Sequence, residues 1–366
     1  MKTTETPAYR LTSNCIWNSF HHSNKKHIII TGNRGSGKTT LLNTLFPNTL
    51  PGITTWAKPQ KAVYLKENNT DNVTIVGVYD NTVHDIENKM KLHGDGFSTL
   101  GINALKNVLL SETDWISIDE IGYLESQCTD YLNTITYIME QKHMIAVVRK
   151  QNLSYLEKLC KREDVFLIDL DAPFGDMGCI IMASGLGKRF GANKLMADFH
   201  GKPLISYILD ATSRIFKKRV VVTRHKDVAT LCEKIGIEVI LHDLPHRNDT
   251  IYLGLKTQLD MEHCMFCTAD QPLLKQDTII TLALSSVNAP IKIIRPIYEK
   301  SPGSPVIFPK WTFEELLHLP ESQGGGYIMK QHPDYVKYLP IAEPYELEDI
   351  DTKEDFIRLQ QISGCY

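Results

Sequence analysis

Residues 32–39 read Gly-Asn-Arg-Gly-Ser-Gly-Lys-Thr and fill every fixed position of G-x-x-x-x-G-K-[ST]. An apolar run, Lys26-His27-Ile28-Ile29-Ile30-Thr31, precedes the motif, and Thr40-Leu41-Leu42-Asn43-Thr44-Leu45 follows it with helical apolar spacing. That order constrains the chain to strand, tight loop and helix N-terminus, where successive amides and the positive end of the helix hold a phosphate. Lys38 would reach the β- and γ-phosphates of a nucleoside triphosphate and the Thr39 hydroxyl would ligate Mg²⁺. Gly32, Asn33, Arg34, Gly35, Ser36, Gly37 and Thr40 complete the nucleotide-binding loop. Upstream, the mixed spacing of His21, His22 and His27, without acidic company, predicts an ordinary surface segment.

Such a loop needs a second group on its metal side. Trp115-Ile116-Ser117-Ile118-Asp119-Glu120 is an apolar strand ending in two acids. Asp119 is placed to hold Mg²⁺ through water, and Glu120 to orient or deprotonate an attacking water. Further strands are predicted at residues 62–65, 73–79, 144–148 and 165–170, with helical spacing at 100–110, 131–139 and 153–159. Strands alternating with helices predict an α/β domain with a mainly parallel sheet and ligands at the carboxyl ends of its strands. Arg149 and Lys150 stand just past a strand. They read as a solvated pair ahead of a transition-state cation.

A second phosphate-binding pattern occupies residues 178–203, GCIIMASGLGKRFGANKLMADFHGKP. The apolar run 179–183 suits a buried central strand. Ala183, Ser184, Gly185, Gly187 and Gly191 then form a loop whose backbone can approach a phosphate, with the cations Lys188, Arg189 and Lys194 among them. Met265-Phe266-Cys267-Thr268-Ala269-Asp270-Gln271-Pro272 is another apolar strand, delivering one acid, Asp270, into a Pro-stopped turn. Near the end, Asp349 and Asp351 share one face of an extended segment, while Thr352 or Asp351 is suited to cap the helix that follows. Between these motifs, strands are predicted at 219–223 and 237–241, and Asn248 or Asp249 is an N-cap for a helix.

These motifs resemble two known families. Asp119-Glu120-Ile121-Gly122-Tyr123-Leu124-Glu125 resembles the Asp-Glu-Ile-Gly-Lys-Met-Glu signature of small P-loop nucleoside-triphosphatases, a likeness running over about residues 25–171. Residues 177–366 resemble the MobA-like nucleotidyltransferases, and among them the molybdenum cofactor cytidylyltransferases. Ala183-Ser184-Gly185, Lys188-Arg189-Phe190-Gly191, Lys194, Gly201-Lys202-Pro203-Leu204 and Ala269-Asp270-Gln271-Pro272 carry the likeness. Ser184 departs from the family's small apolar residue at a position that bears on the choice of base. The resemblance implies a Rossmann-like fold of the nucleotide-diphospho-sugar transferase type. It also implies CTP on the glycine loop, Lys188 and Arg189 on the β- and γ-phosphates, Lys194 on the α-phosphate, and Mg²⁺ on Asp270 and Asp351, with Asp349 a lesser candidate. The acceptor implied is molybdopterin and the recipient of the product a molybdenum hydroxylase. Gly303-Ser304-Pro305-Val306 would line the acceptor pocket, and Gly324-Gly325-Gly326 is either a turn beside it or a flexible loop.

The expected organisation is therefore two α/β domains: residues 1–171 as a P-loop nucleoside-triphosphatase-like domain, 172–177 as linker and 178–366 as the nucleotidyltransferase. At 366 residues the chain is too long for one typical core. A formal charge of -3 argues against nucleic acid, which needs many phosphate-neutralising cations. No apolar run approaches a membrane span and no signal-peptide pattern opens the chain, so the expected location is the cytoplasm. Cys264 and Cys267 lie three apart on an apolar strand and are expected as buried thiols. Two other readings compete: transfer to another phosphorylated small molecule such as a sugar phosphate, or a P-loop switch whose second domain only carries the cofactor.

Overall fold

The computed structural model describes residues 11–82, 89–187 and 189–363, and the chain folds as two compact units. One comprises Asn24–Pro173. The other begins at Phe174 and also takes in the described residues up to Ser23. This departs from the expected boundaries. The helix Ser13–His21 buries Cys15, Ile16, Ser19 and Phe20. It docks on the helix Gln276–Val287, where the Ser19 and Ser285 hydroxyls bond at 2.7 Å. A nine-residue helix with three buried apolar side chains is too short to be stable alone, so tertiary packing places it. The P-loop unit is thus inserted, along the chain, between two segments of the other unit.

Within Asn24–Pro173 the strands are β1 (His27–Thr31), β2 (Gly52–Lys58), β3 (Ala62–Glu67), β4 (Val73–Tyr79), β5 (Met90–Leu92), β6 (Trp115–Ile121), β7 (His143–Val148) and β8 (Val165–Asp169). Their order is β5-β4-β3-β2-β6-β7-β1-β8. From β2 to β8 all pairs are parallel, as expected, and the helices Lys38–Leu45, Thr129–Gln141 and Ser154–Cys160 lie among their connections. The strands at 62–79, predicted as part of the same alternation, instead run as an antiparallel extension with β5. The cause is loop length. Residues 59–61 and 68–72 are too short for a crossover helix and sufficient only for hairpins. On one face of the parallel half Ile29, Ile53, Ile116, Ile118 and Ala146 pack with Leu105 and Ile135, all with no exposed area. On the other face Ile28, Ile30, Ile145 and Val147 are buried as well.

His27 corrects the surface expectation. It opens β1 with no exposed area, and its Nδ1 accepts from the Met144 amide at 3.2 Å. Burial lowers its pKa from 6.5 to about 4, outweighing the Asp164 carboxylate 3.4 Å from Nε2. Glu125 is pushed the other way: burial raises it from 4.5 to about 7, although its carboxylate accepts from the Gly122 amide at 2.9 Å. Stability from neutral His27 is lost as pH falls from 6.5 towards 4, because the unfolded chain takes the proton first. Stability from protonated Glu125 is lost as pH rises from 4.5 through 7, because the unfolded chain releases its proton first. The two slopes oppose each other and nearly cancel between pH 4.5 and 6.5. In Glu125→Gln the His27 slope of this pair is no longer opposed. The unit's unfolding free energy should then climb by about 3 kcal/mol across that window. Urea unfolding at stepped pH checks this, and a variant profile as flat as the parent's would refute it.

The other unit carries β9 (Met177–Ala183), the short hairpin β10 (Asp198–Phe199) with β11 (Lys202–Pro203), β12 (Lys218–Thr223), β13 (Glu238–Leu241), β14 (His263–Thr268), β15 (Ile293–Tyr298), β16 (Ser301–Pro302), β17 (Val306–Pro309) and β18 (Val336–Pro340). Its sheet runs β13-β12-β9-β14-β17-β15-β16, with β18 beside β15. The half from β13 to β14 is parallel, and β17 turns the sheet antiparallel. Both motif-bearing strands, β9 and β14, are therefore central neighbours and release their loops on the same edge. Cys264 and Cys267 are both fully buried in β14, as expected of structural thiols. Among the described residues no helix is long and apolar enough to cross a membrane.

Candidate functional site

In the P-loop unit, the loop between β1 and the helix Lys38–Leu45 turns through positive φ at Gly32, Gly35 and Gly37. A Cβ on Gly32 would lie 2.7 Å from Ser36 Oγ, so the turn closes only on glycine. Lys38 Nζ donates to the carbonyls of Gly32 at 2.9 Å and Asn33 at 2.8 Å, spanning the concavity of the loop. Thr39 Oγ1 donates to Asp119 Oδ1 at 3.3 Å, joining the two expected metal-side groups, and burial raises the Asp119 pKa. The Ser36 hydroxyl is buried without a partner among the described residues. Asn33, Arg34 and Thr40 lie exposed around it. The Asn33 amide is committed to Asp171, whose carboxylate oxygens accept at 2.9 and 3.1 Å.

Glu120 comes to the same strand end as Asp119, where Arg149 Nε donates to its Oε1 at 2.5 Å. Lys150 bonds Asp169 Oδ2 at 2.7 Å and Asp171 Oδ2 at 3.1 Å. Neither cation is the free, solvated residue that the sequence suggested. Arg149 follows β7 as Asp119 and Glu120 end β6, and its position after a buried apolar strand was the available signal. Asp171 was missed because nothing local marks a turn residue that will close on a loop 138 positions away.

In the other unit, β9 leads into a loop in which Gly187 has a φ of +57° and a Cβ would meet Ala192 O at 2.6 Å. Lys188 lies outside the described residues. Lys194 is 7% exposed, and its ammonium donates to Asp270 Oδ2 at 2.7 Å, to the Ile350 carbonyl at 2.5 Å and to Asp351 Oδ1 at 3.3 Å. Arg189 reaches Asp351 Oδ2 at 2.8 Å from a largely exposed position. Arg189, Lys194, Asp270 and Asp351 thus converge from three distant segments. Thr352 and Asp355 cap the last helix reciprocally, at 2.9 Å (Thr352 N to Asp355) and 3.1 Å (Asp355 N to Thr352). This leaves the Asp351 carboxylate facing the cations.

Asp349 joins the cluster. Its pKa is raised to about 6, first by burial and then by the Asp270 carboxylate. Three acids around one buried ammonium favour additional positive charge. Among the described residues no three acid, His or Cys groups are arranged to hold one metal ion. Two carboxylates alone suit Mg²⁺, which takes one or two from protein and draws the rest from phosphates and water. The donor set therefore fits a metal brought in with its nucleotide.

A cavity of about 410 Å³ opens over this cluster, lined among others by Ala183, Ser184, Gly185, Lys194, Asp270 and Asp349. The Ser184 hydroxyl is held between the Val222 carbonyl at 3.1 Å and His242 Nε2 at 2.7 Å. A second cavity of about 340 Å³ adjoins it, with Met182 and Arg247 lining both. Ser304, Val306 and Gly324 to Gly326 line the second cavity, together with the cations Arg247, Arg295 and Lys330 and, among the described residues, no carboxylate. Arg295 is aimed by its bonds to the carbonyls of Gly303 at 2.8 Å and Pro302 at 3.1 Å. At the nearby helix Arg247–Lys256 the N-cap is His246, two positions before Asn248, the first of the expected pair. Asp249 accepts from the His246 amide at 2.9 Å, and Asn248 accepts from the Ser322 amide at 3.0 Å.

Comparison with known proteins matches residues 179–336 to the model of a MobA-like NTP transferase domain and residues 61–173 to that of an NTPase. A probable molybdenum cofactor guanylyltransferase of Bacillus cereus (strain AH820) is 33% identical over 192 residues, covering 50% of this chain and 94% of the relative. One of Aquifex aeolicus is 24% identical over 194 residues, covering 51% of this chain and 92% of the relative. Among solved structures, molybdopterin-guanine dinucleotide biosynthesis protein A of Archaeoglobus fulgidus aligns at 21% identity and a TM-score of 0.43, over 52% of this chain and 100% of that one. The chain belongs to the MobA-like NTP transferase family and carries, in the same polypeptide, a domain of an NTPase family.

Proposed function

We propose that the second unit transfers CMP from CTP to the terminal phosphate of molybdopterin, releasing pyrophosphate, while the first unit binds and hydrolyses a nucleoside triphosphate. One observation carries the transferase reading: the glycine loop, Lys194 and Asp270 line a single cavity, with Lys194 Nζ 2.7 Å from the Asp270 carboxylate. A donor nucleotide on the loop would meet Arg189 and Lys194, whose charges compensate those on its phosphates. The adjoining cavity, with three cations and no acid among the described residues, suits an anionic acceptor. Such an acceptor is already ionised at neutral pH, so its attack needs positioning and charge neutralisation rather than a strong base. Arg247, which lines both cavities, stands where donor and acceptor phosphates would meet. Asp270 and Asp351 would hold Mg²⁺, whose chemistry when bound is to neutralise phosphate oxygens and ease the departure of pyrophosphate.

A guanylyl transfer is the second reading, favoured by the names of the relatives. Pyrophosphate release measured with CTP, GTP, ATP and UTP, each with and without molybdopterin, separates the two. Turnover is expected with CTP only when molybdopterin is present. Preference for GTP would replace the base assignment, turnover with a sugar phosphate would replace the acceptor, and no turnover with any pair would leave a carrier domain.

A further inference from the structure

The strand β15 carries Arg295 into the second cavity, two strands beyond β14 and roughly 10 Å from it along the sheet. Two carbonyls fix its fork: Nε donates to Gly303 at 2.8 Å and Nη2 to Pro302 at 3.1 Å. Gly303 is itself held in place. Its amide donates to the Pro296 carbonyl at 3.0 Å, and a Cβ there would lie 2.8 Å from Leu347. Three N–H donors of the guanidinium then have no partner among the described residues. Nor does a carboxylate offset the charge. Burial lowers the Arg295 pKa, and among the described residues the Tyr338 phenol is the one titratable neighbour that opposes this. A half-buried guanidinium without an anion is costly, so one aimed rigidly into a cavity marks a place where the anion comes from outside.

We propose that the acceptor carries a second anionic group besides the phosphate that attacks, and that Arg295 binds it. The inference rests on the reading of this unit as a nucleotidyltransferase to an acceptor phosphate. Arg247 lines both cavities, whereas Arg295 lines the second alone. The attacking phosphate has to meet the donor where the cavities join, so it leaves the charge of Arg295 uncompensated. The second anion fills that place, and the body that joins the two groups packs on apolar wall such as Phe266, Val306, Phe308 and Met329. The dithiolate of molybdopterin is an anion of this class, and a simple sugar monophosphate has none. Arg295 thus sets specificity between acceptors through binding, without touching the reacting phosphorus.

The test is calorimetric titration of molybdopterin into the full chain without nucleotide, which reads acceptor binding apart from turnover. Arg295→Leu should weaken binding by roughly 30- to 300-fold, the loss expected when one partner of a buried charge pair is removed. Arg295→Gln, which can still donate to the loop carbonyls but carries no charge, should lose nearly as much. Arg295→Lys, which keeps the charge without the fork, should bind within about tenfold of the parent. In pyrophosphate release with CTP, Arg295→Leu should show its loss in the KM for molybdopterin, with kcat and the KM for CTP within about threefold of the parent. Binding by Arg295→Leu within about threefold of the parent would overturn the inference. So would Arg295→Gln binding as tightly as Arg295→Lys, since only the loop contacts would then matter, or a loss carried by kcat. If Arg295→Leu does not fold, Arg295→Gln carries the same decision. A parent chain that binds molybdopterin but releases no pyrophosphate removes the transferase reading and leaves the Arg295 comparison to decide the anion. A parent that binds no molybdopterin removes that acceptor and this inference with it.

Discussion

Asp270→Asn should lower pyrophosphate release by roughly 10³-fold or more while the unit stays folded. The substitution keeps the shape of the side chain and an oxygen that accepts from Lys194, and removes only the negative charge. That charge serves twice. It holds the Lys194 ammonium, which is 8% exposed at its side chain and, among the described residues, has Asp351 as its only other carboxylate partner. It is also the more buried of the two carboxylates suited to the metal, with a side-chain exposure of 20% against 43% for Asp351. Losing it leaves the ammonium under-compensated, so a stability cost of about 1–3 kcal/mol accompanies the catalytic loss, less than full removal of a buried partner would bring. The measurement is pyrophosphate release at saturating CTP with molybdopterin, alongside a thermal melt. A melt within a few degrees of the parent combined with release within tenfold of the parent would remove Asp270 from the site.

The second large effect lies in the other unit. Lys38→Ala should cut phosphate release from a nucleoside triphosphate by roughly 10²- to 10³-fold, because the ammonium that neutralises the β- and γ-phosphates is gone. Its position across the Gly32 and Asn33 carbonyls, at 2.9 and 2.8 Å, is one that bound phosphates would draw it away from. Helix and loop should survive, since the loop's turns are set by glycine backbone and by the Asn33–Asp171 bonds rather than by the lysine. The transferase assay on the same variant is expected to change less than about twofold, because the residues that make up the other cluster all belong to the second unit. Loss of both activities together would show that the two reactions are not separable.

Legibility in the sequence tracked distance along the chain. Lys38, Thr39, Lys194 and Asp270 were readable because each sits in a local grammar: buried apolar strand, then glycine or Pro turn, then helix. Asp351 was readable only through family resemblance, and the structure carries it to Arg189 and Lys194 from the end of the chain. Arg149 was assigned to solvent because nothing near residue 149 announces Glu120, 29 positions earlier, as its partner. His27 was misread for the same reason. Its burial comes from β7 and β8 on either side of β1, not from its polar neighbours. The second cavity draws on the strands β15 and β17 and on residues 322–330, so its three cations are unrelated in sequence.

By itself the sequence determined two glycine loops, the strands that deliver them, the acids at the neighbouring strand ends and the α/β class, because each follows from hydrogen bonding and φ restrictions within about ten residues. Tertiary structure alone decided the antiparallel edge of the first sheet, the attachment of the helix Ser13–His21 to the other unit, and which cation meets which acid. Those outcomes depend on burial and charge pairing between segments tens to hundreds of residues apart. Such interactions exist only once the sheets have brought the segments together.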